Sequence, residues 1–185
     1  MTGSNHQPKV SKEKVDAIIV LFTSGQYQNA LDELKTLNID FPKDSILHNI
    51  AGACFAGLGQ FASAIKSYQK AIALNPDYAK AHYNLGGAYH ELREYDASVK
   101  SYRASIAIDP NYAEAHNNLG NVLRESGRLD EAINTFEQAL KVKPRYFEAY
   151  YGIAICLQEF GQIDEMIECL NKVVEIKPDL AEAYI

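Results

Sequence analysis

Three histidines, His48, His82 and His116, are the first residues to consider as ligands of a metal ion. Neighbouring members of this set stand 34 residues apart. A zinc site needs ligands that converge within about 2 Å of the ion, and they usually come from closely spaced positions. His90 has no cysteine or histidine partner at such a spacing. The pattern therefore predicts packing roles for His48, His82 and His116, and it predicts no metal site.

The residues that could carry out covalent or phosphate chemistry also do not form a recognisable site. Cys54, Cys156 and Cys169 form no CxxC pair, so we expect buried free thiols. The glycines of FAGLGQ and NLGGAY do not follow a predicted strand, which argues against a phosphate-binding loop. Serine, tyrosine and glutamate recur at a fixed interval or at solvent-facing positions, so no nucleophile and base stand apart from the packing pattern. We predict no catalytic activity and no cofactor.

Asparagine is the polar residue whose placement favours a binding role. Asn49, Asn84, Asn117, Asn118 and Asn121 fall at related positions of a recurring segment. An asparagine amide offers both a donor and an acceptor, so it can pair with the N–H and C=O groups of any polypeptide backbone. Asparagine is also a middling helix former, which gives no intrinsic reason for it to cluster within helices. This chemistry predicts recognition of an extended peptide.

The spacing of proline indicates which elements position these side chains. All six prolines fall at intervals of 34 residues, from Pro8 to Pro178. This interval is typical of a repeat of two helices, which buries its apolar face only by stacking on its neighbours. Proline follows each second helix because it cannot continue the hydrogen-bond ladder. The sequence thus predicts an all-α array of antiparallel helix-turn-helix units.

Two glycine positions agree with such hairpins. With proline placed at position 32 of each repeat, position 8 holds Gly52, Gly86 and Gly120, where the two helices touch. Position 15 holds glycine in every repeat except the third, which has Arg93. A residue at position 15 must end the first helix with a positive φ. Positions 7, 11, 20, 24 and 27 supply the predicted core.

These positions resemble the tetratricopeptide repeat, most clearly in NLGGAYHELREYDASVKSYRASIAIDP and NLGNVLRESGRLDEAINTFEQALKVKP. The resemblance extends from Ser11 to Leu180 and implies a right-handed superhelical solenoid. It also implies that the first helices line a concave groove for peptides. The tryptophan often found at position 4 of the family is histidine, lysine or tyrosine here.

The middle repeats are similar to those of O-linked N-acetylglucosamine transferases, in which asparagines at position 6 hold substrate peptides. Asp16, Ile50 and Gly152 occupy that position in the first, second and fifth repeats, so the resemblance is confined to the middle. No three consecutive repeats carry the lysine, asparagine and arginine set of the chaperone-binding subfamily, so we predict no carboxylate clamp. Positions 2, 5, 6, 9, 12 and 13 of the first helices form the predicted site. Its candidate residues are Asn49, Tyr83, Asn84, His90, Asn117, Asn118, Asn121, Arg124, Tyr151 and Gln158.

The register also predicts the domain organisation. Residues 1–10 are expected to be disordered, and residues 181–185 to begin a sixth repeat. Val15, Ile19 and Phe22 of the first helix lie where later repeats place polar residues. Neither end carries a polar cap of the kind that terminal repeats need, which predicts a homo-oligomer formed through the ends. The five complete repeats are predicted over residues 11–44, 45–78, 79–112, 113–146 and 147–180.

Composition narrows the choice of partner and compartment. A net charge of -6 gives no basic field for nucleic acid. Residues 147–180 carry seven acidic side chains against two lysines, which favours a basic peptide. The longest apolar run, Ala17 to Phe22, is far too short to span a membrane. The N-terminus lacks the apolar core of a signal peptide, and we predict a cytoplasmic protein.

Three functions are compatible with these features. The first is a non-catalytic scaffold that binds a peptide or protein segment in the groove, and the asparagine stripe favours it. The second is a substrate-recruiting domain of a larger enzyme of the glycosyltransferase or sulfotransferase type, suggested by the sequence stopping within a sixth repeat. The third is a self-assembling structural array, suggested by the uncapped ends.

Overall fold

The computed structural model describes residues 10–179, and every regular element within them is an α-helix. The helices come in pairs joined by short turns, which confirms the predicted all-α array of helix-turn-helix repeats. Most of the predicted N-terminal segment and the predicted start of a sixth repeat lie outside the described residues. The helices are α1 (Lys12–Thr23), α2 (Tyr27–Asp40), α3 (Ser45–Gly57), α4 (Phe61–Leu74), α5 (Ala79–Glu91), α6 (Tyr95–Ile108), α7 (Ala113–Glu125), α8 (Leu129–Val142), α9 (Phe147–Phe160) and α10 (Ile163–Ile176).

A turn with one residue of positive φ follows each first helix. Arg93 has a φ of 59° in the third such turn. Glycine needs no steric compensation in this region, whereas a residue with a Cβ is disfavoured there. The predicted role of position 15 is therefore confirmed, and Arg93 is its one exception among the repeats. The glycines in the other turns are Gly25 (75°), Gly59 (71°), Gly127 (78°) and Gly161 (73°).

The chain divides into two compact units, Met1–Leu92 and Arg93–Ile185, and the first unit contains α1 to α5. In this unit each helix from α1 to α4 packs on the next one along the chain, and α3 also contacts α5. Tyr68 of α4 is buried against Gly52 of α3. A Cβ added at Gly52 would lie 2.5 Å from Tyr68 Cε1, so position 8 must be bare for the ring to fit.

The second unit contains α6 to α10, and Phe136 of α8 is part of its buried core. The ring is fully buried and contacts two glycines on different helices. A Cβ at Gly120 of α7 would lie 2.6 Å from Phe136 Cε1, and one at Gly152 of α9 would overlap the tip of the ring. These two bare positions let α8 lie close to both first helices. Gly120, which is at position 8, has the role predicted for that position, whereas Gly152 is at position 6.

The second helix of the last hairpin, α10, keeps an apolar stripe in solvent. Ile163, Ile167 and Val174 are 50%, 47% and 43% exposed. Their equivalents one repeat earlier on α8, which packs against α9, are half-buried. Across residues 10–179, no helix has both the length and the apolar character needed to cross a membrane.

Candidate functional site

The histidines at position 4 link each repeat to the one before it. Nε2 of His48 lies 3.1 Å from the carbonyl oxygen of Pro42, to which its N–H can donate. His82 and His116 repeat this contact with the proline six residues earlier, at 2.9 and 3.0 Å. The packing role predicted for these histidines is confirmed. Burial is the main cause that lowers the pKa of His48 below its ordinary value.

In the first unit, two of the predicted site residues pair with each other. Nδ2 of Asn84 on α5 donates to Oδ1 of Asn49 on α3 at 3.0 Å. Asn49 is only 7% exposed, and the Tyr78 hydroxyl also hydrogen-bonds to its amide. The structure thus places Asn49 between helices rather than on an open surface.

The other predicted residues of the first unit lie on α5. Tyr83 and His90 are half-buried, and each has further contacts within the chain. The ammonium group of Lys80 lies 4.8 Å from the centre of the Tyr83 ring. This cation–π contact holds a positive charge beside the predicted site.

In the second unit, α7 carries four predicted site residues within two and a half turns. Asn117 is 5% exposed, and its Nδ2 donates to Oδ1 of Asn118 at 3.4 Å. Asn118 and Asn121 are half-buried. Arg124 is also half-buried, with Nη2 3.8 Å from Oε1 of Glu125.

Two polar atoms of these α7 side chains have no partner. Within the described part of the chain, Oδ1 of Asn117 and Nε of Arg124 are buried and make no hydrogen bond. A buried polar group without a partner is rare in folded proteins and calls for an explanation. Sequence reasoning placed both residues on the stripe but did not foresee that these atoms would be enclosed.

The remaining predicted residues lie on α9, where they are open to solvent. Tyr151 is 51% exposed, and Gln158 is exposed as well. An exposed tyrosine offers a large apolar ring with a polar tip, a combination that is frequent at binding surfaces. The second unit therefore combines enclosed amides on α7 with an exposed aromatic residue on α9.

A surface depression at the turn before α6 was not predicted from the sequence. It has a volume of about 530 Å³ and is lined by residues 93–97 and Ser126. Nη1 of Arg93 donates to the Tyr95 hydroxyl at 3.2 Å, and this hydroxyl donates to Oε2 of Glu125 at 3.5 Å. The signal in the sequence was Arg93, which replaces glycine at position 15.

Among the residues that the structure describes, no three histidine, cysteine or acidic side chains are grouped so that they could hold a metal ion. Three family models match the chain. One is described as the TPR repeat and matches residues 55–92. Two are described as the tetratricopeptide repeat and match residues 77–145 and 123–184. Together these models match tetratricopeptide repeats over residues 55–184.

Relatives with these repeats include a curated protein and several solved structures. The peroxisomal targeting signal receptor of Kluyveromyces lactis is 31% identical over 83 residues, which are 44% of this chain and 15% of the receptor. A crystal structure of MamA superposes with a TM-score of 0.82 at 25% identity and covers 95% of this chain and 99% of MamA. The crystal structure of YrrB, described as a TPR protein with an unusual peptide-binding site, has a TM-score of 0.75 at 18% identity over 95% of this chain and 93% of YrrB. The tetratricopeptide fold is thus shared over most of the chain.

Proposed function

We propose that this chain is a non-catalytic scaffold that binds an extended polypeptide segment along α7 and α9 of its second unit. The observation that carries the proposal is the set of amides on one side of α7, from Asn117 to Asn121, close in sequence to Arg124. Amides at this spacing offer donors and acceptors along a line, which is what an extended backbone requires. Tyr151 on α9 adds an exposed ring that can cover the apolar parts of a ligand.

The comparisons support a role in protein interaction. The curated relative is named as a receptor for a targeting signal, and YrrB is described as having a peptide-binding site. The receptor is similar in sequence to part of this chain and YrrB shares its fold, so we propose a peptide or protein partner here also. The matched residues span 15% of the receptor's length. A role of this chain as the substrate-recruiting domain of a larger enzyme stays a prediction. The similarity to O-linked N-acetylglucosamine transferases also stays a prediction.

The charge of the chain favours a basic partner. Its net charge is -6, and the last complete repeat holds seven acidic residues against two lysines. Opposite charge on the ligand would speed the encounter and disfavour acidic competitors. Cys54 and Cys156 are buried free thiols, which suits the reducing cytoplasm that we propose as the compartment.

The proposal is tested with random short peptides displayed on phage and selected on the full chain. We expect selected peptides to bind about tenfold more weakly to the variant with Asn118→Ala and Asn121→Ala, because each lost amide removes hydrogen bonds to the ligand. A control variant, Asn134→Ala with Asn171→Ala, changes two exposed asparagines on second helices and should bind normally. If both double variants bind like the unmodified chain, α7 is not the binding face.

We also propose self-association as a second function, because apolar residues are exposed on both α10 and α1. Position 10 is buried in every described repeat after the first, whereas its equivalent on α1, Val20, is 65% exposed. A second copy's α1 would cover Ile163 and Ile167 as α9 covers α8. Light scattering should show oligomers that Ile167→Glu converts to monomers. A chain that stays monomeric at high concentration would exclude this function.

A further inference from the structure

Position 3 of the repeat is enclosed wherever another repeat precedes it. Its residues in repeats two to five are apolar and 0% exposed; they are Leu47, Ala81, Ala115 and Ala149. In the first repeat the same position holds Glu13, whose side chain is exposed. The first helix therefore carries a carboxylate at a position that the later complete repeats fill with a buried apolar side chain.

Positions 7 and 10 complete this side of α1. They follow position 3 by four and seven residues, which places all three on the same face of the helix. In α1 they hold Ala17, which is exposed, and Val20, which is 65% exposed, whereas both positions are buried in every later described repeat. Since α1 has no repeat before it among the described residues, a preceding repeat is what covers this side elsewhere. Glu13, Ala17 and Val20 thus form a stacking face that is open on α1.

The surface that the stacking face would cover lies on α10 of a second copy. Within the chain, α9 packs on α8, and the open stripe on α10 that is equivalent to α8 consists of Ile163, Ile167 and Val174. The helix α10 also contains four acidic residues and a single lysine. This lysine, Lys172, already pairs with Glu175 at 2.8 Å. A carboxylate that arrives on this surface therefore meets apolar side chains and a net negative charge.

Stacking of α1 on α10 would enclose the Glu13 carboxylate without a cationic partner. The removal of an unpaired ionised carboxylate from water is strongly unfavourable. Burial of Ala17 and Val20 in the same contact is favourable. In the separate chain Glu13 lies in the first turn of α1, where the helix dipole favours an acidic side chain. Glu13 therefore opposes a contact that the rest of the stacking face promotes.

We infer that Glu13 limits the self-association of this chain, so that copies stack α1 on α10 weakly and reversibly. The inference rests on the self-association proposed above and names the residue that sets its strength. The two surfaces differ from each other, so each copy can contact one neighbour through α1 and another through α10. Alanine, which repeats three to five have at position 3, would remove the limit.

The experiment measures the mass of the chain over a range of concentrations by analytical ultracentrifugation. We expect Glu13→Ala to lower the Kd for self-association about tenfold or more, because no charge is then enclosed. The matched control is Glu148→Ala, which removes an exposed acid from the first turn of α9 and should leave the Kd unchanged.

The outcomes separate this inference from the proposed self-association. Equal Kd values for Glu13→Ala and the unmodified chain, or an equal fall in Glu148→Ala, would overturn the inference while self-association stood. If the unmodified chain stays monomeric and Glu13→Ala associates, the proposed self-association fails and the role of Glu13 is supported. If neither chain associates, both fail.

Two further variants test which surfaces meet. Ile167→Glu blocks α10 and Val20→Glu blocks α1, each in a chain that also has Glu13→Ala. We expect each variant to be monomeric alone and an equal mixture of the two to form dimers, because the mixture retains one open surface of each kind. A mixture that stays monomeric, or a blocked variant that still associates alone, would contradict the contact between α1 and α10.

Discussion

Arg93 has the backbone conformation that four other hairpin turns assign to glycine. Its φ is 59°, and its guanidinium donates to Tyr95 from an exposed position. A residue with a Cβ costs about 1–2 kcal/mol in this region. Glycine removes that strain but gains freedom in the unfolded chain. We predict that Arg93→Gly raises the free energy of unfolding by about 0.5–1 kcal/mol, measured by urea denaturation.

The matched variant for this prediction is Arg93→Ala. Alanine loses the hydrogen bond to Tyr95 just as glycine does, yet it keeps a Cβ at the same positive φ. It should therefore show no gain in stability. Equal midpoints for the alanine and glycine variants would show that the backbone at this turn is not strained.

His48 makes folding dependent on pH. Burial lowers the pKa of His48 from its ordinary value of 6.5, so the folded state favours the neutral imidazole. Below pH 6.5 the unfolded chain binds this proton more readily than the folded chain does. The stability contributed by neutral His48 is present above pH 6.5 and is lost as the pH falls through the folded-state pKa.

We therefore predict that the urea midpoint of the unmodified chain falls more steeply below pH 6.5 than that of His48→Gln. Glutamine can still donate to the carbonyl oxygen of Pro42, but it does not titrate. The difference between the two midpoints, followed from neutral to mildly acidic pH, isolates the imidazole. Parallel curves would mean that His48 has the same proton affinity in the folded and unfolded chains.

At the level of helix packing, the close contact of α8 with α7 depends on the absence of a side chain at Gly120. Gly120→Ala should favour an isolated helix, because alanine has the higher helix propensity. In this fold the new Cβ lies 2.6 Å from Phe136, whose ring is fully buried and has no free space. We predict a net loss of about 1–3 kcal/mol in the free energy of unfolding, as is usual for overpacking.

A smaller side chain in place of Phe136 should relieve the clash with a Cβ at residue 120. In a chain with Gly120→Ala, the further change Phe136→Leu should cost less than it does in the unmodified chain, because the smaller side chain makes room for the Cβ. A double-mutant cycle from urea denaturation measures this coupling. Additive effects would show that Gly120 and Phe136 do not limit each other.

The helices could be predicted from the sequence because the same residue types recur at the same positions of each repeat. Glycine at position 15 predicts the end of each first helix, proline at position 32 predicts the end of each second helix, and the structure agrees with both. The state of the asparagines could not be predicted in this way. Oδ1 of Asn49 is paired because the next repeat brings Asn84, whereas Oδ1 of Asn117 has no partner among the described residues because the next repeat brings Gly152. Helix periodicity predicts the side of the helix on which a residue lies. The residues of the neighbouring repeat determine what that side contacts.

For the molecule as a whole, the net charge of -6 leads us to predict that binding of the proposed basic peptide depends on salt. A basic peptide is drawn to the chain by a field that extends about 10 Å at an ionic strength of about 0.1 M and is screened further at higher salt. Raising sodium chloride from about 20 mM to about 500 mM should slow association of a selected basic peptide about tenfold, with a much smaller change in its dissociation. Surface-based kinetics measures both rates. A variant peptide with its lysines replaced by glutamines should show little salt dependence, because the contacts that we propose for it are then only short-range hydrogen bonds to amides such as Asn118 and Asn121. Equal salt dependence for both peptides would remove the net charge from the account of recognition and leave the α7 amides as its basis.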